Sequence, residues 1–267
     1  MSPGAPPGVL VRERVVNAGR RLVALDLGTA RTRSLAMGGN AMADLPSVIA
    51  RGADAVRPIR HGMVIDPGGC LRLVRLALRD TRLYDSRPLE RVLAGVPLAA
   101  SRSDRGAVRA AVAEIAGCEV RLVDEPLAAA VGAGVDVLDT RPCLVLDVGA
   151  GIVEVVAFSQ GAVVDAAALQ LSATTGTGLA SYALEGVVDM TAALVRRLAA
   201  GARPATRARG LVVTGGGARQ EELLRRLRAS VRLPVGVAPQ PQHATVRGLM
   251  RLCLQPALAV AAKPARG

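Results

Sequence analysis

Two segments of this chain set an aspartate beside glycine in the same way: Leu22 to Thr32 (LVALDLGTART) and Leu144 to Val155 (LVLDVGAGIVEV). Each is an apolar run that ends in Asp-x-Gly and reopens into β-forming residues, the pattern of two strands joined by a tight turn. Such a turn leaves a carboxylate at the rim of the first strand and an uncovered glycine amide next to it. Two hairpins of this kind facing one another can grip a polyphosphate. Bare Gly and Thr amides donate to phosphate oxygens, while Asp26 and Asp147 can hold the water shell of a magnesium ion, which prefers a few carboxylates plus solvent.

A third segment, Thr214-Gly215-Gly216-Gly217, falls where a predicted strand hands over to a helix. Glycines there let a flat ligand approach the backbone, and the helix start offers free amides to an anion. A dinucleotide-binding reading of Gly149-x-Gly151 fails, because the third glycine is missing and a β-branched strand (IVEVVAF) follows instead of a helix.

These segments need elements to carry them, and the periodicity supplies two halves with one grammar. In the first, strands are expected at Leu22 to Asp26, Thr32 to Met37 and Pro46 to Ala50, then a helix from about Cys70 to Arg79. A strand at Arg91 to Val96, a helix capped by Ser103 and running to Ala116, a strand at Val120 to Val123 and a helix from Pro126 to Val131 complete it. In the second, strands are expected at Cys143 to Asp147, Ile152 to Phe158 and Ala162 to Ala168. A long helix through Leu179, Ala183, Val187, Met190, Leu194 and Leu198 follows, then a linker. A strand at Leu211 to Thr214, a helix from Ala218 to Ala229, a strand at Pro234 to Ala238 and a helix from Ala244 to Leu254 end it. Each half is a three-strand meander followed by alternating helix and strand. The expected division is a flexible segment 1–20, core domains 21–140 and 141–256, and a flexible tail 257–267.

Composition removes several kinds of chemistry. Hydrophobic residues make up 51% of 267, ample for buried cores, yet the aromatics are only Phe158, Tyr84 and Tyr182. Stacking on bases has almost nothing to use. Of 34 basic residues only Lys263 is a lysine, which excludes a P-loop lysine and a Schiff-base lysine. The formal charge of +12 invites a polyanion, either nucleic acid or anionic lipid, or else reflects arginine used as the solubilising charge. Arg72, Arg75, Arg79 and Arg82 fall on one face of a predicted helix, but no nucleic-acid motif accompanies them. Cys70, Cys118, Cys143 and Cys253 lack metal-ligand spacing and read as buried free thiols of a reducing compartment. The N-terminus lacks the features of a signal peptide, so a cytoplasmic protein is expected, with Val9 to Arg21 either a short interfacial segment on a membrane or a solvated lead-in strand.

The order of the motifs resembles the actin superfamily of ATP-binding proteins, and more narrowly MreB, the bacterial actins of cell shape. The resemblance rests on Asp26-Leu27-Gly28-Thr29-Ala30, Asp124-Glu125-Pro126-Leu127-Ala128-Ala129-Ala130-Val131-Gly132, Asp147-Val148-Gly149-Ala150-Gly151 and Thr214-Gly215-Gly216-Gly217-Ala218. Leu45-Pro46-Ser47-Val48, Val56 to Gly62 and Arg91 to Pro97 are similar to MreB segments in the same order. The resemblance implies an α/β fold of two ribonuclease-H-like domains with ATP and magnesium between them. Asp26, Gly28, Thr29 and Thr32 match the first phosphate hairpin, Asp147, Gly149 and Gly151 the second, and Gly215, Gly216 and Gly217 the adenosine turn. Asp26 and Asp147 match the metal-holding carboxylates. Glu125 matches the residue that positions the hydrolytic water; on its own chemistry it reads equally as a dipole partner at a helix start.

The chain also departs from that pattern. Ile152 and Val153 stand where the family has Thr residues, and Ala150 where it has glycine. The family's Gly-Gly-Asp after the third strand of the second half is replaced by Ser172-Ala173-Thr174-Thr175-Gly176. Only Val48 to Ala55, eight residues, occupy the place of one small upper subdomain, and 41 residues (170 to 210) the place of the other. The expectation is therefore an actin-like base without its two upper lobes. It would be a structural protein of cell shape or cell-wall assembly, not an efficient ATPase. Its partners would be itself, a full-length MreB-like actin, the wall machinery or an anionic membrane surface. The alternative is an active Mg-ATP-dependent ATPase or kinase of the same superfamily, supported by Asp26, Glu125 and Asp147.

Overall fold

A computed structural model describes residues 21–37, 42–52, 54–83, 88–172, 174–175, 178–198, 203–255 and 258. The stretch before Arg21 and the tail after residue 258, where flexible ends and most of the interfacial segment were expected, lie outside the described residues, as does the side chain of Arg82. In chain order the first half runs β1 (Leu22–Leu27), β2 (Arg31–Ala36), β3 (Met42–Pro46), β4 (Ile49–Arg51), β5 (Asp54–Val56), β6 (Ile59–Arg60), β7 (Met63–Val64) and α1 (Pro67–Leu83). It continues with β8 (Arg91–Val96), α2 (Arg102–Ala116), β9 (Glu119–Asp124) and α3 (Glu125–Gly132). The second half runs β10 (Cys143–Val148), β11 (Ile152–Ser159), β12 (Ala162–Gln170), β13 (Thr174–Thr175), β14 (Gly178–Leu179), α4 (Ser181–Arg197) and α5 (Arg203–Arg209). It ends with β15 (Leu211–Thr214), α6 (Glu221–Val231), β16 (Val235–Val237), a 3-10 turn at Pro241–His243 and α7 (Ala244–Leu254).

The two halves repeat one topology. The first sheet has the order β3-β2-β1-β8-β9 and the second β12-β11-β10-β15-β16. In each, the first three strands form an antiparallel meander and the next two join in parallel, as crossover helices require. This is the duplicated α/β architecture expected from the motifs.

Strand alternation divides the apolar residues among three cores. On β1, Val23, Leu25 and Leu27 pack with α1 and α2 in one outer core, while Leu22 and Ala24 face the middle of the molecule. On β10, Leu144, Leu146 and Val148 enter the other outer core with α4 and α6, while Cys143 and Val145 face the middle. The central core is closed by α3 and α7, the last helix of each half. Helix α3 packs against β10 and α7 against β1, so each half lends its final helix to the other half's sheet.

Those two helices meet backbone to backbone. A Cβ at Gly132 would overlap the carbonyl oxygen of Ala244, and one at Gly248 would overlap that of Ala128. Both are main-chain atoms inside helices, which cannot swing aside.

Several local expectations shift. The third meander strand is β3, ending at Pro46 rather than starting there; Ser47 then leaves the ladder, and its hydroxyl donates to the Gly28 carbonyl at 2.6 Å. The apolar run after it becomes β4, paired with β5 in a short hairpin. Helix α2 is capped by Ser101, not Ser103: the Ser101 hydroxyl accepts the Asp104 amide at 3.2 Å and the Asp104 carboxylate accepts the Ser101 amide at 3.1 Å. Helix α1 starts at Pro67, where the ring suits a first turn whose amide is unpaired in any case. The expected linker after α4 contains α5. Arg72, Arg75 and Arg79 are exposed on α1, as their spacing predicts.

The glycine contact yields a test. Gly248→Val or Gly132→Val should cost at least about 3 kcal/mol of stability through overpacking against backbone. Gly106→Ala, in α2 with open space around it, should be neutral or stabilising by up to about 1 kcal/mol. Urea unfolding of the three variants measures both.

Candidate functional site

The parity that sends Leu22 and Ala24 of β1 to the centre sends Asp26 there too, and Asp147 follows Cys143 and Val145 on β10 in the same way. On the neighbouring strands, Arg33 lies opposite Asp26 and Glu154 lies opposite Asp147 in the antiparallel register. Four charged side chains therefore stand on central faces where the apolar core stops. They line a cavity of about 110 Å3 between the hairpin tips, together with Gly28, Thr29, Ala30, Arg31, Glu125, Gly149, Ala150, Gly151, Ile152, Gly215, Gly216, Gln242 and Thr245.

Of the residues singled out from sequence, Asp26, Gly28, Thr29, Glu125, Asp147, Gly149, Gly151, Gly215 and Gly216 line this one cavity. Thr32 and Gly217 are not among the lining residues. Thr32 is fully buried, its hydroxyl 2.9 Å from that of Ser47. Gly217 packs on Val148, to whose carbonyl it donates its amide at 3.0 Å. Of the two positions without a hydroxyl, Ile152 reaches the cavity and Val153 points into the outer core.

The cavity is rich in carboxylates. Asp26, Glu125, Asp147 and Glu154 oppose Arg31 and Arg33. Burial pushes Asp26 up to about 7, held back by Arg33 and reinforced by the charges of Asp147 and Asp44. Asp147 is pushed up to about 6 by burial, against the Thr214 hydroxyl that donates to it at 2.9 Å and the charge of Arg33. Glu154 is pushed up to about 7 by burial, although it accepts the amides of Leu98 at 3.2 Å and Ala99 at 3.0 Å. Burial, then the charges of Asp26, Glu154, Asp147 and Asp124, lift Glu125 well above the carboxylate range, and its Oε1 is buried without a hydrogen-bond partner.

Arg33 and Glu154 carry no motif signal, and both shape the site. Arg33 Nη1 lies 3.8 Å from Asp26, and its buried Nε forms an ion pair with Asp44 at 3.2 Å. Asp44 is held below the usual carboxylate range by Arg31 and Arg33, which outweigh its burial. Glu154, on the second sheet, grips the loop after β8 of the first. Gln242 and Thr245 reach the cavity from the segment that opens α7; only the alternation that puts 33 with 35 and 154 with 156 could have marked the first pair.

A magnesium nucleotide suits this donor set. Excess carboxylate and the orphaned buried carboxylate oxygen of Glu125 are groups that a cation would satisfy, and Arg31 and Arg33 supply positive charge for its phosphates.

Two sheets of identical order around swapped final helices, with a polar cleft between two Asp-Gly hairpins, define the actin-like fold. Solved structures agree: MreB5 of Spiroplasma citri bound to ADP aligns with a TM-score of 0.78 at 16% identity, covering 92% of this chain and 99% of that one. The MamK double helical filament aligns with a TM-score of 0.69 at 16% identity, covering 88% and 99%. The family described as MreB/Mbl protein matches residues 51–177. The cell shape-determining protein MreB of Escherichia coli (strain K12) is 28% identical over 177 residues, 56% of this chain and 51% of that protein. The chain has the actin-like fold and is similar in sequence to the MreB/Mbl proteins. It spans about half the length of the cell shape-determining relatives it matches.

The buried carboxylates set a pH dependence. Glu154 titrates near 7 when folded and near 4.5 when unfolded, so the native state binds the extra proton between those values. Its contribution to stability is therefore highest below about 4.5 and falls as pH rises through 7. In the absence of nucleotide and metal, unfolding by urea should require less denaturant at pH 8 than at pH 5.5. Glu154→Gln should shrink that difference, at the cost of one of the two amide hydrogen bonds.

Proposed function

We propose that this chain is a structural protein of the MreB type that serves cell shape or cell-wall assembly, with nucleotide held weakly and turned over slowly if at all. The observation that carries this reading is the combination of a retained phosphate cleft with a first insertion reduced to the β4–β5 hairpin. Without walls above the hairpins, a bound nucleotide keeps its phosphates between protein surfaces and leaves its base in solvent.

Each residue has a task in that cleft. The amides of the two hairpin tips donate to phosphate oxygens, and Asp26 and Asp147 hold a hydrated magnesium ion, which would neutralise phosphate charge and draw electrons from the bond to be broken. Arg33 supplies a fixed cation beside Asp26. Gly215 and Gly216 offer a flat backbone to the nucleoside. Glu125, at the first turn of α3, would position the water; burial favours its protonated form, so it would accept a proton only once a cation in the cleft had restored the carboxylate. Ile152 puts an apolar side chain where a hydroxyl would help to order that water, which argues for slow hydrolysis.

Self-association, or joining a longer MreB-like actin, follows from the same likeness. MamK, one of its structural neighbours, is a double helical filament. A second reading, an active Mg-ATP-dependent ATPase or kinase, is favoured by Glu125 and its unpartnered oxygen. The domain division at about residue 140 fits the linker between α3 and β10 and belongs to this proposal.

Calorimetric titration with ATP and magnesium separates the readings. Weak binding that falls at least about tenfold in Asp147→Asn, with little phosphate release and with sedimentable assemblies, supports the structural role. Tight binding with turnover abolished by Glu125→Gln would establish the ATPase, and no heat together with no assembly would refute both.

A further inference from the structure

A second cavity, of about 310 Å3, shares the tips Thr29, Ala30, Ala150 and Gly151 with the phosphate cleft and is otherwise built from different residues. The wall between the two is close-packed: a Cβ on Gly151 would overlap the Thr29 hydroxyl and come within 2.9 Å of the His61 amide nitrogen. The two spaces have opposite electrostatics. The phosphate cleft is lined by four carboxylates and two arginines, whereas the second cavity has Arg57, Arg60 and His61 and no carboxylate in its lining.

Its cations are uncommitted. Arg51 pairs with Asp66 at 2.5 Å and Arg105 with Asp124 at 2.5 Å. The Arg57 side chain donates only to the Thr29 carbonyl, at 3.5 Å, and the Arg60 side chain has no hydrogen bond or ion pair among the described residues. The His61 ring is fixed by a 2.6 Å bond to the Gly151 carbonyl; a carbonyl only accepts, so Nδ1 carries the proton and Nε2 is left as an acceptor, which suits the hydroxyl of a monoprotonated phosphate ester. The floor is apolar. Ile59 and Leu171 are buried, and Ile65 is 58% exposed although it is large and hydrophobic. A cavity of this size with an apolar floor and a few convergent polar groups has the make-up of a small-ligand site.

We propose that this cavity is a second anion site, separate from the nucleotide cleft, that takes a phosphate ester: the phosphate lies against Arg57, Arg60 and His61, and a short apolar stem lies on Ile65 and Leu171, above the buried Ile59. The carboxylate-free lining selects the anion, and the floor selects an ester over inorganic phosphate. A soluble ester and the headgroup of an anionic lipid share this chemistry.

The chain has five isoleucines, at 49, 59, 65, 115 and 152, so a spectrum of isoleucine methyl groups separates the two cavities. Titration with n-butyl phosphate should shift Ile59 and Ile65 and leave Ile152, in the nucleotide cleft, in place. Its affinity should exceed that of inorganic phosphate by about threefold or more. The double variant Arg57→Glu, Arg60→Glu, made at two exposed positions, should lose at least about tenfold. Absence of shifts at Ile59 and Ile65, shifts centred on Ile152, or unchanged binding by the double variant would overturn the proposal. Sedimentation with phosphatidylglycerol vesicles, lost in the double variant, would assign a lipid as the source. Butyl phosphate binding without vesicle binding would assign a soluble ester.

Discussion

Helices α3 and α7 approach so closely at Gly132 and Gly248 that each lies against the other's carbonyl oxygens. The rest of the molecule is arranged around that contact. Because α3 rests on β10 and α7 on β1, their crossing sets the distance between the two sheets. That distance in turn sets how far the Asp26 hairpin stands from the Asp147 hairpin. Side chains of any size at the two glycines would separate the halves and widen the cleft before any ligand-binding residue was touched.

The cleft itself is a place where apolar packing is interrupted by rule. The central faces of β1, β2, β10 and β11 carry core residues up to Leu22, Ala24, Leu35, Val145 and Val156 and then, with the same period of two, carry Asp26, Arg33, Asp147 and Glu154. Charges on those faces are desolvated because the core continues beneath them. Pseudo-symmetry sharpens the contrast: the first half sets a cation opposite its aspartate, the second a carboxylate. The like charges of Asp147 and Glu154 are kept apart by separate donors, the Thr214 hydroxyl for one and the Leu98 and Ala99 amides for the other. One consequence is mechanical, since Glu154 ties the second sheet to a loop of the first across the cleft.

Arginine organises the polar part of the structure. Asp44 gathers Arg31 and Arg33 from the neighbouring strand, with His243 Nε2 at 3.5 Å from the segment that starts α7. Planar guanidinium groups satisfy several oxygens at once, which suits a chain with a single lysine. The second cavity lies beside the hairpin tips, away from the phosphate cleft.

The sequence by itself determined the strand-turn-strand hairpins, the repeated order of elements and the residues of the tips, because those depend on local turn chemistry and on a period of two or 3.6. It also carried the likeness to MreB through motifs whose order survives weak identity. Segment ends were less legible: Ser101 rather than Ser103 caps α2, and β3 ends where its predicted counterpart began, since ladder pairing and side-chain caps decide boundaries. The resemblance matched Thr32 to the phosphate hairpin, yet register turns it toward Ser47. Arg33, Glu154, Gln242 and Thr245 carry no motif, and only the tertiary structure brought them to the cleft. Arg33 and Glu154 arrive through hairpin register, seven residues from the aspartates they face, whereas Gln242 and Thr245 arrive through the packing of α7 on α3 and β1, contacts between residues more than a hundred apart that no local pattern encodes.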